Sequence, residues 1–288
     1  MKIFVECVPC FLRQALEASK MATRDDWVQA RILRRVLCEA AEFSFQLSPP
    51  HMGQIIHRIV RQESGIDDPY RQEKSRLNRL AADLYETLKL EVARSQKPRD
   101  MALRLAIAGN ILDFGPPDNG SEMKLGPIVE SAISQDLDID YRGEFWRAME
   151  DAESILYLAD NAGEIYFDRI LLEYLPTEKI TLAVRGGPAI NDLTMEDLNG
   201  TDLKVLIPVI DNGSDAPGTI LEDCSENFRQ RFEAADVIIS KGQGNYETLN
   251  TVNKHIFYLL KAKCSVIARD LDCRPGGLIV KEAPVKPD

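Results

Sequence analysis

The sequence predicts an α/β protein: a mostly parallel sheet covered by helices on both faces, preceded by an α-helical domain. Three observations carry this reading. Residues 10–105 place apolar side chains at three-to-four spacing and show no β-branched alternation. From about residue 150, short apolar runs alternate with amphipathic stretches, the pattern of parallel strands joined by helices. The runs end in loops rich in Asp, Asn and Gly, at the carboxyl ends of strands, where open α/β sheets bind ligands.

The helical half opens with Phe11, Leu12, Ala15, Leu16 and Ala18, then Ile32, Leu33, Val36, Leu37 and Ala40. Ser48-Pro49-Pro50 punctuates it, and Gly65-Ile66-Asp67-Asp68-Pro69 reads as a helix stop and turn. Leu77, Leu80, Ala81, Leu84, Leu88 and Val92 resume the helical pattern, with charges on the solvated face. This domain is taken as residues 1–105. Residues 106–150 form a mixed connection: helical over Met101–Leu112, a Gly-Pro loop at 115–120, helical again at Ile128–Ile133. Residues 151–288 form the α/β domain. Its expected strands are Ile155–Ala159, Ile180–Val184, Val205–Ile210, Val237–Ser240 and Ser265–Ala268, although Pro208 sits poorly inside the third. Its expected helices are Ile165–Tyr174, Thr219–Ala234 and Tyr246–Val252, and the Pro-containing tail 282–288 reads as loosely ordered.

Composition narrows the function. A formal net charge of −11 argues against a general nucleic-acid binder, which needs a basic surface to neutralise phosphates. No apolar run is long enough to cross a membrane, and the first residues lack a signal peptide's apolar stretch, so a cytoplasmic protein is expected. The six cysteines then read as thiols. Cys7-Val8-Pro9-Cys10 has the spacing of half a zinc site or of a redox pair, and equally of two buried thiols at a helix start. His51, His57 and His255 are scattered and do not suggest a histidine metal site.

The loops carry the chemistry. Asp160-Asn161-Ala162-Gly163-Glu164 follows the first run and offers two adjacent hard oxygen donors, suited to a divalent cation. Arg185-Gly186-Gly187-Pro188 follows the second, and Asn191-Asp192 repeats the amide–carboxylate pair before a short helix expected from Leu193. Asp192 taken alone reads as a helix N-cap; together with Asp160 and Asn161 at a neighbouring strand end it reads as an oxygen donor of the same site. Asp211-Asn212-Gly213-Ser214 follows the third run, where the alternative is an ordinary Asn-Gly turn. Lys241-Gly242-Gln243-Gly244-Asn245 follows the fourth, with a cation, two glycines and a helix start expected at Asn245, an inventory for an anion or for a solvated turn. In the connection, Asn110 and Asp113 stand three apart on an apolar helix, hence on one face. Together these are the parts of a divalent metal site beside a phosphate. No Walker A loop, no G-x-G-x-x-G in the first strand–helix turn and no G-x-S-x-G elbow occurs.

With these motifs the chain resembles the damage-control phosphatase family, and within it the prokaryotic branch that starts with an N-terminal Cys-x-x-Cys. The resemblance rests on Gly109-Asn110 with Asp113, Asp160-Asn161-Ala162-Gly163-Glu164, Asn191-Asp192-Leu193-Thr194 with Asp197, and Lys241-Gly242 with Asn245-Tyr246. It spans most of the 288 residues. The resemblance implies a helical N-terminal domain packed on a three-layer α/β/α sandwich. It implies a metal-dependent phosphatase using one divalent ion (manganese, cobalt, nickel or magnesium) on small phosphorylated metabolites, such as sugar phosphates or damaged and side-product phosphates. By the same resemblance Asp160, Asn161 and Asp192 hold the metal, and Asn110, Asp113 and Lys241 serve substrate and phosphate. Gly242, Asn245, Glu164 and Arg185 join the phosphate-binding group, and Asp160, Asp192, Asn110 and Asp113 the catalytic one.

Two rival readings differ in kind. A binding protein with the same site would bind ligand without turnover on any phosphate ester. A methyltransferase would suit the α/β half, but only Ala162-Gly163 stands where its Gly-rich turn belongs.

Overall fold

The computed structural model describes residues 1–109, 130 and 134–285. Asn110, Asp113, the 115–120 loop and nearly all of the 128–133 helix lie outside the described residues. Five helices lead: α1 Cys7–Ala22, α2 Asp26–Glu42, α3 Pro49–Ser64, α4 Arg71–Arg94 and α5 Pro98–Ala108. Local chemistry sets their ends. The Asp25 side chain caps α2 by accepting from Trp27 N and Val28 N. Pro49 and Pro50 stand in the first turn of α3, where a missing N–H costs nothing, and Gly65 ends it in the left-handed conformation.

The second half alternates β1 Leu137–Asp140, α6 Arg142–Asp151, β2 Ile155–Leu158, α7 Glu164–Leu172, β3 Ile180–Val184, α8 Leu203–Leu206, β4 Val209–Asp211, α9 Glu226–Ala234, β5 Val237–Lys241, α10 Gly242–Leu249, β6 Ile256–Lys261, α11 Ser265–Leu271 and β7 Leu278–Ala283. The sheet order is β1-β7-β6-β5-β2-β3-β4. Every pairing is parallel except β6 with β7.

The strand pleat divides the core. Ile155, Tyr157, Ile180, Leu182, Ile239, Phe257 and Leu259 face one apolar layer, shared with α4, α5, α6 and α7. Leu156, Leu158, Ile238, Tyr258 and Leu260 face the other, shared with Phe228 and Phe232 of α9, Leu249 of α10 and Ile267 of α11. This is the three-layer α/β/α arrangement. Helices α1–α3 close a separate core around Phe11, Ala15, Ile32, Val36, Met52 and Ile56. That unit meets the sheet through α3. Gln54 Nε2 donates to Asp215 (2.7 Å) and Asp223 (2.6 Å), and Arg58 forms an ion pair with Asp215.

Several elements differ from expectation, each for a physical reason. Ser265–Ala268 is helical, because the Cys264 thiol accepts from Ile267 N and starts α11; four apolar-flanked residues do not distinguish the two periodicities. The strand of that region is the apolar run Ile256–Lys261. Val205–Ile210 divides into α8 and β4, with Pro208 between them. The helix expected from Thr219 begins only at Glu226, capped by Ser225. Leu193–Leu198 forms turns, so Asp192 is no helix cap, and α10 starts at Gly242, not Asn245. Glu282 and Ala283 belong to β7 rather than to a loose tail. Among the described residues no helix is long and apolar enough to cross a membrane.

Candidate active site

The ends of β2, β3 and β5 converge at the carboxyl edge of the sheet. Backbone bonds join the loops after β2 and β3: Leu193 N donates to Asp160 O (2.8 Å), Ala162 N to Asn191 O (2.9 Å) and Arg185 N to Leu193 O (2.9 Å). Asn161 and Asp192 thereby form an isolated antiparallel bridge. Ile190, which precedes Asn191, is held at φ +46°, a costly conformation for a β-branched residue; such strain persists only where surroundings over-determine it, as here.

The side chains in this pocket are nearly all buried: Asp160 7%, Asn161 8%, Asp192 4% and Glu164 0% exposed. Asn161 Nδ2 donates to Asp160 Oδ2 (2.8 Å) and Glu164 Oε2 (3.1 Å). With its nitrogen so occupied, the Asn161 Oδ1 oxygen is left to accept or to ligate. Arg185 Nε donates to Asp192 Oδ2 (2.6 Å), and its Nη1 reaches Thr219 Oγ1 (3.4 Å). From β5, Gly242 lies so close to Asp160 that a Cβ on it would stand 1.9 Å from Oδ2. Its φ of +77° is also glycine's territory.

Beneath this layer, Lys241 Nζ donates to Glu164 Oε1 (2.6 Å) and to Asp168 Oδ1. All three are sealed from solvent. Burial opposes the lysine's charge, but Asp168 and Glu164 outweigh it, so its pKa is raised. Burial lifts Asp168 to about 6 against the pull of Lys241. Asp160 is pushed well above the usual carboxylate range by burial and then by the charges of Glu164 and Asp192. Asp192 is raised by burial, with Arg185 countering.

The donor set fits a hard cation. Two buried carboxylates and an amide oxygen sit on bridged loops, and like charges brought together out of water call for positive charge, of which Arg185 on Asp192 supplies one. Two buried nitrogens, Arg185 Nη2 and Asn191 Nδ2, have no hydrogen-bond partner. Unsatisfied buried donors on the two sides of this loop suit an anion.

Asp160, Asn161, Asp192, Glu164, Arg185, Lys241 and Gly242 thus come together as the motifs anticipate, but not all face outward. Lys241 is fully buried and committed to two carboxylates. Asn245 is likewise enclosed. Its Nδ2 donates to Ala159 O (3.2 Å) and Lys241 O (2.8 Å), and its Oδ1 accepts from Thr219 Oγ1 (2.8 Å), so it ties β2 to β5. Asp197 holds the buried Lys74 (2.8 Å) together with Asp68 (2.8 Å), anchoring α4 beside the site. Cys7 is half-buried and Cys10 exposed at the start of α1, and burial raises both thiols above their ordinary value. The residue missed from sequence is Asp168. It lies one helical turn after Glu164 on an otherwise apolar stretch, and that spacing was the available signal.

Residues 3–279 match the damage-control phosphatase ARMT1-like domain. The chain is 36% identical over 285 residues to a damage-control phosphatase of Pyrococcus horikoshii, covering 97% of each chain. It is 32% identical over 288 residues to a damage-control phosphatase of Archaeoglobus fulgidus, covering 98% of this chain and 99% of the relative. A crystal structure of a DUF89 family protein from Pyrococcus horikoshii superposes with a TM-score of 0.87 at 35% identity, covering 98% of this chain and 99% of that one.

Proposed function

Because the chain belongs to the damage-control phosphatase family, we propose that it is a metal-dependent phosphatase hydrolysing phosphate monoesters of small metabolites in the cytoplasm. The phosphatase class follows from the family; the metal, the substrate class and the residue roles are the proposal. Asp160, Asn161 and Asp192 would hold one divalent ion, manganese, cobalt, nickel or magnesium. Such an ion supplies Lewis-acid neutralisation of phosphate charge. The observation that carries this reading is the Asn161–Asp192 bridge, which gathers three hard oxygen donors beside two unsatisfied nitrogens.

The chain's own residues divide the remaining work. Arg185 orients Asp192 through Nε and offers Nη2 to a phosphate oxygen. Asn191 offers Nδ2 from the adjoining turn. Glu164 is fixed by Lys241 and in turn orients the Asn161 amide. Gly242 permits Asp160 to stand against the start of α10. With both aspartates holding the ion, water is the simplest acceptor of the phosphoryl group. Sugar phosphates and damaged or side-product phosphometabolites are the substrate class.

The test is hydrolysis of p-nitrophenyl phosphate by metal-stripped protein, with each of the four metals restored separately, beside Asp160→Ala and Asp192→Ala. Turnover that returns with metal and is absent from both variants is expected. In parallel, saturating metal should stabilise the wild type by about 2.7 kcal/mol at one hundred times Kd, and the variants far less. Equal hydrolysis by wild type and both variants would remove Asp160 and Asp192 from the reaction.

A further inference from the structure

We propose that Asn78 of α4 is a positioning residue for this site. Its carboxamide clamps the loop after β2 to the loop after β3, and so sets the separation at which Asp160, Asn161 and Asp192 meet a shared cation. The inference rests on the reading of those three residues as metal ligands, and Asn78 lies outside every motif that led to it. Ligands drawn from two loops serve one ion well when a support outside the loops fixes their spacing.

Asn78 touches both loops. Its Oδ1 accepts from Gly163 N (2.5 Å), and its Nδ2 donates to Asp197 O (2.8 Å). These partners fix the orientation of the carboxamide, since a backbone N–H donates and a carbonyl accepts. On the first loop, Gly163 stands two residues after Asn161 and one before Glu164, which orients the Asn161 amide. Gly163 is buried, so its N–H would be costly to leave without this acceptor. It also lies against the helix backbone: a Cβ on it would stand 3.1 Å from Leu77 Cβ and 3.3 Å from Leu77 O. On the second loop, Asp197 Oδ2 accepts from Thr194 N (2.9 Å) and Thr194 Oγ1 (2.7 Å), and Thr194 bridges to Arg185, the partner of Asp192. One turn earlier on α4, Lys74 Nζ donates to Asp197 Oδ2 (2.8 Å). Lys74 therefore anchors the second loop, whereas Asn78 spans the two. The helix that carries them is itself seated in the core beneath the sheet through Ala81, Tyr85, Leu88 and Val92. A packed helix holds a site more firmly than the loops could hold each other.

The experiment measures by calorimetry the affinity of metal-stripped protein for manganese, cobalt, nickel and magnesium, and carries the tightest binder through wild type, Asn78→Ala, Asn78→Leu and Val92→Ala. Metal-dependent hydrolysis of p-nitrophenyl phosphate is followed beside it. Leucine fills the space of the carboxamide without its hydrogen bonds, so it separates bonding from packing. Val92 is buried about 21 Å farther along α4 and controls for lost stability alone. The expected result is a rise of about tenfold or more in metal Kd and in half-activating metal concentration for both Asn78 variants, with KM and kcat at saturating metal within about threefold of wild type. Val92→Ala should lose urea stability and keep its metal Kd within about twofold, because the two positions are far apart. A metal Kd within about twofold of wild type in either folded Asn78 variant, or an equal rise in Val92→Ala, would overturn the proposal and leave the phosphatase reading intact. Should Asn78→Ala fail to fold, Asn78→Leu decides. Wild type that binds metal without turning over any ester would overturn the phosphatase reading, and calorimetry alone would then decide Asn78. Wild type that binds none of the four metals would overturn both.

Discussion

Gly242→Ala isolates the contact on which the Asp160 position depends. The added Cβ would stand 1.9 Å from Asp160 Oδ2 and 2.1 Å from its Cγ, whereas ordinary contact begins near 3.4 Å. Something must therefore yield by about 1.5 Å, and the candidates are the carboxylate and the first turn of α10. Misplacing a reacting or liganding group by about 1 Å costs on the order of 100-fold in rate. A non-glycine residue at φ +77° adds about 1–3 kcal/mol of backbone strain. The expected outcome is a loss of at least about 100-fold in metal-dependent kcat/KM, together with a stability loss of about 1–3 kcal/mol by urea denaturation. Gly65→Ala is the control, because Gly65 has φ +71° with nothing within 4 Å of its virtual Cβ. It carries the strain without the contact, so it should lose about 1 kcal/mol or somewhat more and keep full activity. If Gly242→Ala turned over substrate within twofold of wild type while Asp160→Ala was inactive, the packing of Gly242 on Asp160 would not be what holds the carboxylate.

Two further predictions concern stability. Lys241→Met leaves Glu164 and Asp168 buried without their cation, and breaking a buried ion pair costs about 3–5 kcal/mol; a urea-denaturation loss below about 1 kcal/mol would contradict the arrangement. Glu247 is the second case. Burial raises its pKa from 4.5 to about 7, although Gln243 and the N-terminal amine favour its charged form. Because the folded state holds the proton more tightly, this group's contribution is most favourable below pH 4.5 and is lost as pH rises towards 7. Glu247→Gln should match wild type near pH 4.5 and exceed it by up to about 3 kcal/mol at pH 8, read from paired denaturation curves. Parallel curves across that window would refute the assignment.

How legible each part was depended on how local its cause is. The strands Ile155–Leu158, Ile180–Val184 and Val237–Lys241 lie at the centre of a parallel sheet. They are buried on both faces, so they appear as continuous apolar runs. The run Ile256–Lys261 has the same character but borders an antiparallel strand, and the helix after it begins with a cysteine cap, an uncommon start signal. The loop after β3 looked like the opening of a helix, yet its residues instead bridge to Asn161, a partner some thirty positions earlier. No short-range pattern carries that information.

The same division runs through the site. Residue type and spacing placed Asp160, Asn161 and Asp192 in the loops that leave β2 and β3, because a strand's exit places whatever follows it at the sheet edge. Glu164, Arg185, Lys241 and Asn245 were equally visible as polar residues of those loops. Which way each one points was decided only by tertiary packing. Lys241 turned inward because Glu164 and Asp168 of α7 lie across the sheet edge from β5, and a buried ammonium between two carboxylates is better compensated than one left alone. Gly242 had to be glycine because Asp160 of another strand occupies the space of its side chain. Sequence determines the chemical groups available at each strand end; their burial and pairing depend on neighbours brought together from distant parts of the chain, and that only the fold supplies.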